Sequence, residues 1–355
     1  MSKVKLAALA GAAGALATLI ALPAPAQAHI QLFVPCSATA LRNAINQANS
    51  LPGPDTLFLT PGCTYTLTAP DNPGNGLPKV TSDINVIGNG STIRRQSATA
   101  FRILQATGTG ARLTLNNLTI SEGHSPASGG GGISAIGGAA LTLNSATVTK
   151  NRSGIGSEGG GISHGGGTLT LRNSTISYNI SEDNGGGVFS NGTTSISGST
   201  ITGNTARNDG GGLDGRGTLT MTNSNITDNG TRLDGGGILS FNLTGTITGS
   251  LIRGNTSGQD GGAGGGIMNR VGSNLTLLRT PVFANRSFSD GGAGGIVNLD
   301  ATLTIRDSPV TRNYSRVAPG GIRNDGGTVN LTGTTTVTDN VFTNCAPTPI
   351  GTCTD

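Results

Sequence analysis

Eight segments of this chain end in the same way. "LTLNSATVTKN", "LTLRNSTISYN", "TSISGSTITGN", "LTMTNSNITDN", "GTITGSLIRGN", "LTLLRTPVFAN" and "LTIRDSPVTRN" close on Asn151, Asn179, Asn204, Asn229, Asn255, Asn285 and Asn313. The longer "VNLTGTTTVTDN" closes on Asn340. The spacing runs from 25 residues (Asn179 to Asn204) to 30 (Asn255 to Asn285). A unit this short cannot bury its apolar face alone, so each must stack on its neighbours. Within a unit the pattern alternates, as in Leu169-Thr170-Leu171, which reads as a strand with Leu inward and Thr outward. A leucine-rich repeat needs a helical stretch, and a propeller blade needs ~40 residues or more. The period instead predicts one turn of a parallel β-helix, with strands at GGGI, at LTL and around TI.

Stacked coils place equivalent residues about 4.8 Å apart. The repeating Asn is then expected to form a ladder of side-chain amides at a corner, itself in left-handed backbone geometry. Ile176, Ile201, Ile226 and Ile252 should fill one inner column. Leu141, Leu169, Leu219, Leu275 and Leu303 should fill another. Composition agrees with a thin, repetitive β protein: Gly is 60 of 355 residues, there is no Trp, and charged residues are 11% against a usual ~25%.

Residues 1–28 read as a signal peptide. Lys3 and Lys5 precede the apolar "LAALAGAAGALATLIAL", and Ala26-Gln27-Ala28 is an A-x-A cleavage site. Export makes disulfides expected among Cys36, Cys63, Cys345 and Cys353. Four cysteines allow three connectivities; the local pairs Cys36–Cys63 and Cys345–Cys353 are favoured. Residues 29–112 form an N-terminal cap and irregular first coils, with a helix in "ATALRNAINQAN" covering the open strand edge. Residues 113–340 carry the regular coils, and 341–355 a disulfide-pinned tail. No later apolar run is long enough to span a membrane. The formal charge is +4, and no Lys/Arg run exceeds Arg94-Arg95. Nucleic acid is therefore not an expected partner.

The start "CSATALRNAINQAN", continued by "DTLFLTPGCTYTLT" and "INVIGNGSTI" and then by the GG-I and I-x-x-N repeats, resembles exported bacterial β-helix proteins with a CSLREA-type start. The GGGI and IxxN pair is also similar to the repeats of polymorphic outer-membrane proteins, although no membrane barrel follows. The resemblance implies an all-β, right-handed parallel β-helix, in keeping with the usual handedness of parallel crossovers. It implies no single reaction.

Glu158, Asp209, Asp234, Asp260 and Asp290 each stand before a Gly pair or triplet. Stacked carboxylates repel, and calcium would relieve this. The same Asp-Gly pairs are also ordinary turn chemistry, and Arg207, Arg232 and Arg286 fall in the same loops as cations for the acids. GGG without a following Lys-Ser/Thr is no phosphate loop. A polysaccharide lyase or glycoside hydrolase would need carboxylates and a base in one cleft; Asp214, Arg216 and Asp234 are the candidates. His29, which would begin the mature chain, could join His124 or His164 in a copper site, but reads as a chance residue. The position after the inward Ile should face out. There Leu239, Met268 and Val297, with Phe189 nearby, would form an exposed apolar strip for a partner. These features favour a secreted, monomeric, non-catalytic scaffold that binds an extracellular protein or polysaccharide. The lyase or hydrolase is the alternative, and no cofactor is expected unless the acidic column holds calcium.

Overall fold

The computed structural model describes residues 29–51, 53–346, 350 and 353; the expected signal segment 1–28 lies outside them. The chain winds into a parallel β-solenoid of about 11 turns with one short helix near its start. Successive coils pair in parallel, residue against equivalent residue. The inner Ile column runs Ile176, Ile201, Ile226 and Ile252, then continues through Val282, Val310 and Val337. A second column, from Ile133 through Ile162, Val188, Leu213, Ile238, Ile267 and Ile296 to Ile322, is fully buried.

The Leu column is interrupted twice. Thr194 takes the place between Leu169 and Leu219, and Gly245 the place between Leu219 and Leu275. Gly245 leaves its space to its neighbours: a Cβ there would stand 3.2 Å from Leu275 Cδ1 and 3.3 Å from Leu219 Cβ.

The glycine triplets are not strands, contrary to the pattern reading. Strands begin at the following Ile, Val or Leu and run through the Leu-Thr-Leu segment, as in Ile162–Arg172, Val188–Ser197, Leu213–Thr222 and Ile238–Thr248. The triplet turns the chain into that strand. Gly210 has φ +64°, and Gly212 lies so close to the next coil that a Cβ would meet Gly237 O at 2.6 Å. A residue with a side chain would be strained at the first and blocked at the second. Short strands such as Thr175–Ser177 follow the Leu-Thr-Leu segments, and two-residue strands such as Ile180–Ser181 follow each Asn from Asn151 to Asn313.

The Asn ladder is continuous. Asn179, Asn204, Asn229, Asn255 and Asn285 are buried, and each Nδ2 donates to the next Oδ1 at 2.9–3.0 Å. Each Oδ1 also accepts the backbone N–H of the preceding ladder Asn, and each Nδ2 reaches a carbonyl of the coil before, as Asn229 reaches Ile201 O at 3.0 Å. All four hydrogen-bonding positions of the amide are thereby used. The Asn residues are not the left-handed ones. That geometry falls on the residue before each: Lys150, Tyr178, Gly203, Asp228, Gly254, Ala284, Arg312 and Asp339 all have positive φ. The tight turn is made one position earlier, which turns the Asn side chain inward.

A second ladder had no Asn to announce it. Ser174, Ser199, Ser224, Ser250, Thr280 and Ser308 each accept, through the hydroxyl oxygen, a backbone N–H from the coil before. Left-handed residues such as Asn173 and Asn223 precede it.

Helix α1, Ala38–Asn49, buries Leu41, Ala44, Ile45 and Ala48 and packs against the strands Gln31–Val34, Thr64–Leu67 and Asp83–Arg95. Ser37 caps its N-terminus by accepting Ala40 N–H. Cys36 is bonded to Cys63 and Cys345 to Cys353. Among the described residues no helix is long and apolar enough to cross a membrane.

The ladder makes a direct prediction. Asn229→Ala leaves a backbone N–H, an Asn amide group and a carbonyl without partners in a dry interior, at a cost of roughly 3–5 kcal/mol. Asn340→Ala, at the half-buried end of the ladder, will cost much less. Urea unfolding of both variants measures the difference; equal small losses would show that the ladder does not hold the coils.

Candidate functional site

The outward side of the strand that follows each glycine turn is not open. Phe189, Asp214, Leu239, Met268 and Val297 stand in register in successive coils. They are 6%, 0%, 3%, 3% and 2% exposed. Leu239, Met268 and Val297 form a small core of their own with Ala293, packed against Ala263 and Leu299. The expected apolar strip is therefore covered. The chain between each Asn and the next strand folds back over it, bringing residues such as Ala263 and Ala293 down onto the apolar side chains.

The same fold-back sorts the acids. Glu158, Asp209 and Asp234 each stand four residues before the inward Ile or Leu, and Asn184 fills that position in the coil between the first two. Asp209 N–H donates to Asn184 Oδ1 (3.2 Å), Asp234 N–H to Asp209 Oδ1 (3.0 Å) and Ala263 N–H to Asp234 Oδ1 (2.7 Å). Asp260 and Asp290 do not join this column. The extra glycine-alanine segments "GGA" place Asp260 seven and Asp290 six residues before their Ile, so Ala263 and Gly292 occupy the column instead. Asp260 lies 3.7 Å from Arg232, and Asp290 3.6 Å from Arg316, all well exposed.

The cations that meet the column come from the strands beneath, not from the loop residues Arg207 or Arg286. Arg270 Nη1 lies 3.2 Å from Asp234 Oδ2 and 3.7 Å from Asp209 Oδ2. Arg216 Nη2 lies 3.2 Å from Asp214 Oδ2 and 3.8 Å from Glu158 Oε1. Its guanidinium sits 4.9 Å from the Phe189 ring centre and 5.8 Å from that of Phe241, within cation–π range. Arg216, Phe241 and Arg270 all stand three residues after the inward residue. Arg216 is a candidate from the sequence; Phe241 and Arg270 share its place in the repeat, and aligning that position would have shown the row.

The electrostatics centre on Asp214. Burial pushes its carboxyl up from 3.8 to about 7; Arg216 opposes this, while Glu158 and Asp209 add repulsion. Its Oδ1 has no hydrogen-bond partner among the described residues. Burial also raises Glu158 and Asp209. A carboxyl poised near neutrality beside an arginine has the chemistry of a general acid or base. This one is enclosed, with Phe189 and Leu239 on either side along the stack and the turn at Gly210 against it.

The two stacked carboxylates Asp209 and Asp234 share the Arg270 guanidinium as their counter-charge. Among the described residues no three His, Cys, Asp or Glu side chains converge as metal ligands. His164 is fully buried, bonds Ser190 Oγ through Nδ1 at 2.8 Å, and is held down to about 4 by burial.

Because Asp214 binds its proton more tightly in the folded chain, the folded state carries the extra proton between about pH 4 and about pH 7. Stability is therefore lost as pH rises through that window. Asp214→Asn removes this loss. Its melting temperature will fall less between pH 4 and pH 7 than that of the wild type; parallel curves would show that Asp214 titrates normally.

A family described as right-handed beta helix region matches residues 102–280. No curated protein matches the chain. The solved structure of pectate lyase Pel9A is similar over 91% of this chain and 79% of its own, at 16% identity and a TM-score of 0.40, a likeness too distant to bear on activity. With its coils, ladders and half its length accounted for by the matched region, this chain belongs to the right-handed β-helix family.

Proposed function

We propose that the chain is an exported, non-catalytic scaffold of the bacterial CSLREA-start or outer-membrane-repeat type, holding an extracellular partner against the side of its coil stack. One observation carries this reading: the carboxyls suited to chemistry are already engaged. Asp214 is enclosed between Phe189 and Leu239 and bonded to Arg216. Asp209 and Asp234 each accept a backbone N–H from the next coil and face Arg270. A hydrolase or lyase needs its acid and base to reach a bound sugar, and here the nearest groups are spent on holding a corner. A long stack with shallow side grooves suits lateral binding. The two disulfides favour an oxidising, extracellular setting.

The alternative, a polysaccharide lyase or glycoside hydrolase, draws on the same cluster: a carboxyl held near neutrality beside Arg216 is what such an enzyme would use. Incubation of the purified protein with acidic and neutral polysaccharides, with and without Ca²⁺, separates the two. The scaffold reading expects retained polymer and no new reducing ends or unsaturated sugars. Product release that is abolished by Asp214→Asn or Asp234→Asn would establish the enzyme instead.

A further inference from the structure

The Asn corner of the early coils carries a groove unlike the rest of the surface. The residue before each ladder position takes the left-handed turn, and in three successive coils it is Glu122, Lys150 and Tyr178. The residue after it is His124, Arg152 and Ile180, paired in register. Between these two rows lies a groove of about 330 Å³, bounded also by Arg95 of the coil before.

Its cations outnumber its carboxylates: Arg95, Lys150 and Arg152 stand against Glu122 and the Glu182 that pairs with Arg152. Arg95 is aimed by neutral acceptors: Nε donates to Glu122 O at 2.8 Å and Nη1 to Thr99 O at 3.0 Å. Carbonyls orient a guanidinium without cancelling its charge. Lys150 makes no ion pair among the described residues. Arg152 is tied to Glu182, and Glu122 is the carboxylate within the lining. His124 titrates low because it is partly buried and because Arg95 and Arg152 stand near it. A second groove shares Ile180 and continues past Glu182 to Arg207 and to Arg232, which pairs with Asp260.

The groove also holds an aromatic surface in water. Tyr178 is 63% exposed and Ile180 42%, in a chain with three Tyr and no Trp. The Tyr178 ring lies over Gly203, where a Cβ would come within 2.8 Å of the ring. The glycine thus gives the ring a place to lie. Cations beside an exposed aromatic fit a ligand with apolar ring faces and regularly spaced negative groups. A sugar acid offers both: its C–H face packs on an aromatic ring, and its acid groups pair with Lys and Arg.

We propose that this groove binds an anionic polysaccharide, with Arg95 and Lys150 pairing its carboxylates or sulfates and Tyr178 stacking on a sugar ring. The assignment rests on the lateral-binding reading above and names its ligand chemistry. It does not depend on whether the protein is a catalyst.

The test is retention of the full chain in gels containing alginate, dextran sulfate or neutral dextran, with oligo(dT) as a competitor. Alginate separates a carboxylated ligand from the sulfated one, and dextran reports binding without charge. The wild type will be retarded by alginate or dextran sulfate and not by dextran. Lys150→Glu will weaken retention about tenfold, the loss of one charge-assisted contact. Tyr178→Ala will weaken it several-fold while Tyr178→Phe keeps it. Arg279→Glu, the same charge change on an exposed residue at the other corner, will leave it unchanged, with circular dichroism showing every variant folded. An equal loss in Arg279→Glu, no retardation by either polyanion, or displacement of the polysaccharide by oligo(dT) overturns the assignment. Undiminished retention in both Lys150→Glu and Tyr178→Ala also overturns it but leaves lateral binding standing. Product release alongside retention that fails in Lys150→Glu supports the groove and removes the non-catalytic reading instead.

Discussion

A buried amide must find partners for all of its hydrogen-bonding positions, and this fold meets that demand only when another coil arrives at the right height. Asn229 is satisfied by Asn204 and Ile201 on one side and Asn255 on the other. Remove either neighbour and its polar atoms lie bare in an apolar interior. The amide ladder therefore sets a common rise for coils whose lengths differ by several residues. The excess chain has to go elsewhere: most goes to the segment between the Asn and the next glycine turn, where the "GGA" insertions sit, and the rest to the stretch between the inward Ile and the next Asn, as from Ile322 to Asn340.

That segment also decides which chemistry the surface can show. By folding back over the outward side of the following strand it converts Leu239, Met268 and Val297 into a second, minor core. It also encloses a carboxylate at Asp214 that would otherwise be solvated. The cost of burying that charge is met in part by Arg216 and in part by binding a proton. What remains exposed is the opposite arrangement at the Asn corner, where the turn residues Lys150 and Tyr178 leave the backbone and, among the described residues, stand in solvent.

The coil stack, the Ile and Leu columns and the amide ladder were legible in the sequence because they depend on period alone. Equivalent residues recur, so they stack. The hydroxyl ladder of Ser174 to Ser308 has the same period, five residues before each ladder Asn, but Ser and Thr are so common in this chain that the column does not stand out. The covered strip was misjudged for a different reason. Alternation says that Leu239 points away from Ile238; it cannot say whether another segment lies across it. The acids failed on register. Matching each Asp to the nearest glycine pair groups Asp260 with Asp234, whereas the structure counts back from the inward Ile and puts Ala263 there. Arg216 was legible as a neighbour of Asp214 because the two stand close together after Leu213; Arg270, one coil beyond Asp234, was not.

A stack of this kind is held together by contacts between neighbours, so its coils are not equally secure. An interior coil can leave only by breaking two interfaces, whereas a terminal coil breaks one. Fraying is therefore a property of the ends. The bond between Cys36 and Cys63 ties the segment entering α1 to the coil beneath it. The bond between Cys345 and Cys353 holds the strand that pairs with Ile322 at the far end. Covalent links sit where the one-dimensional lattice has only a single neighbour to rely on, and the long middle is left to hydrogen bonds and packing.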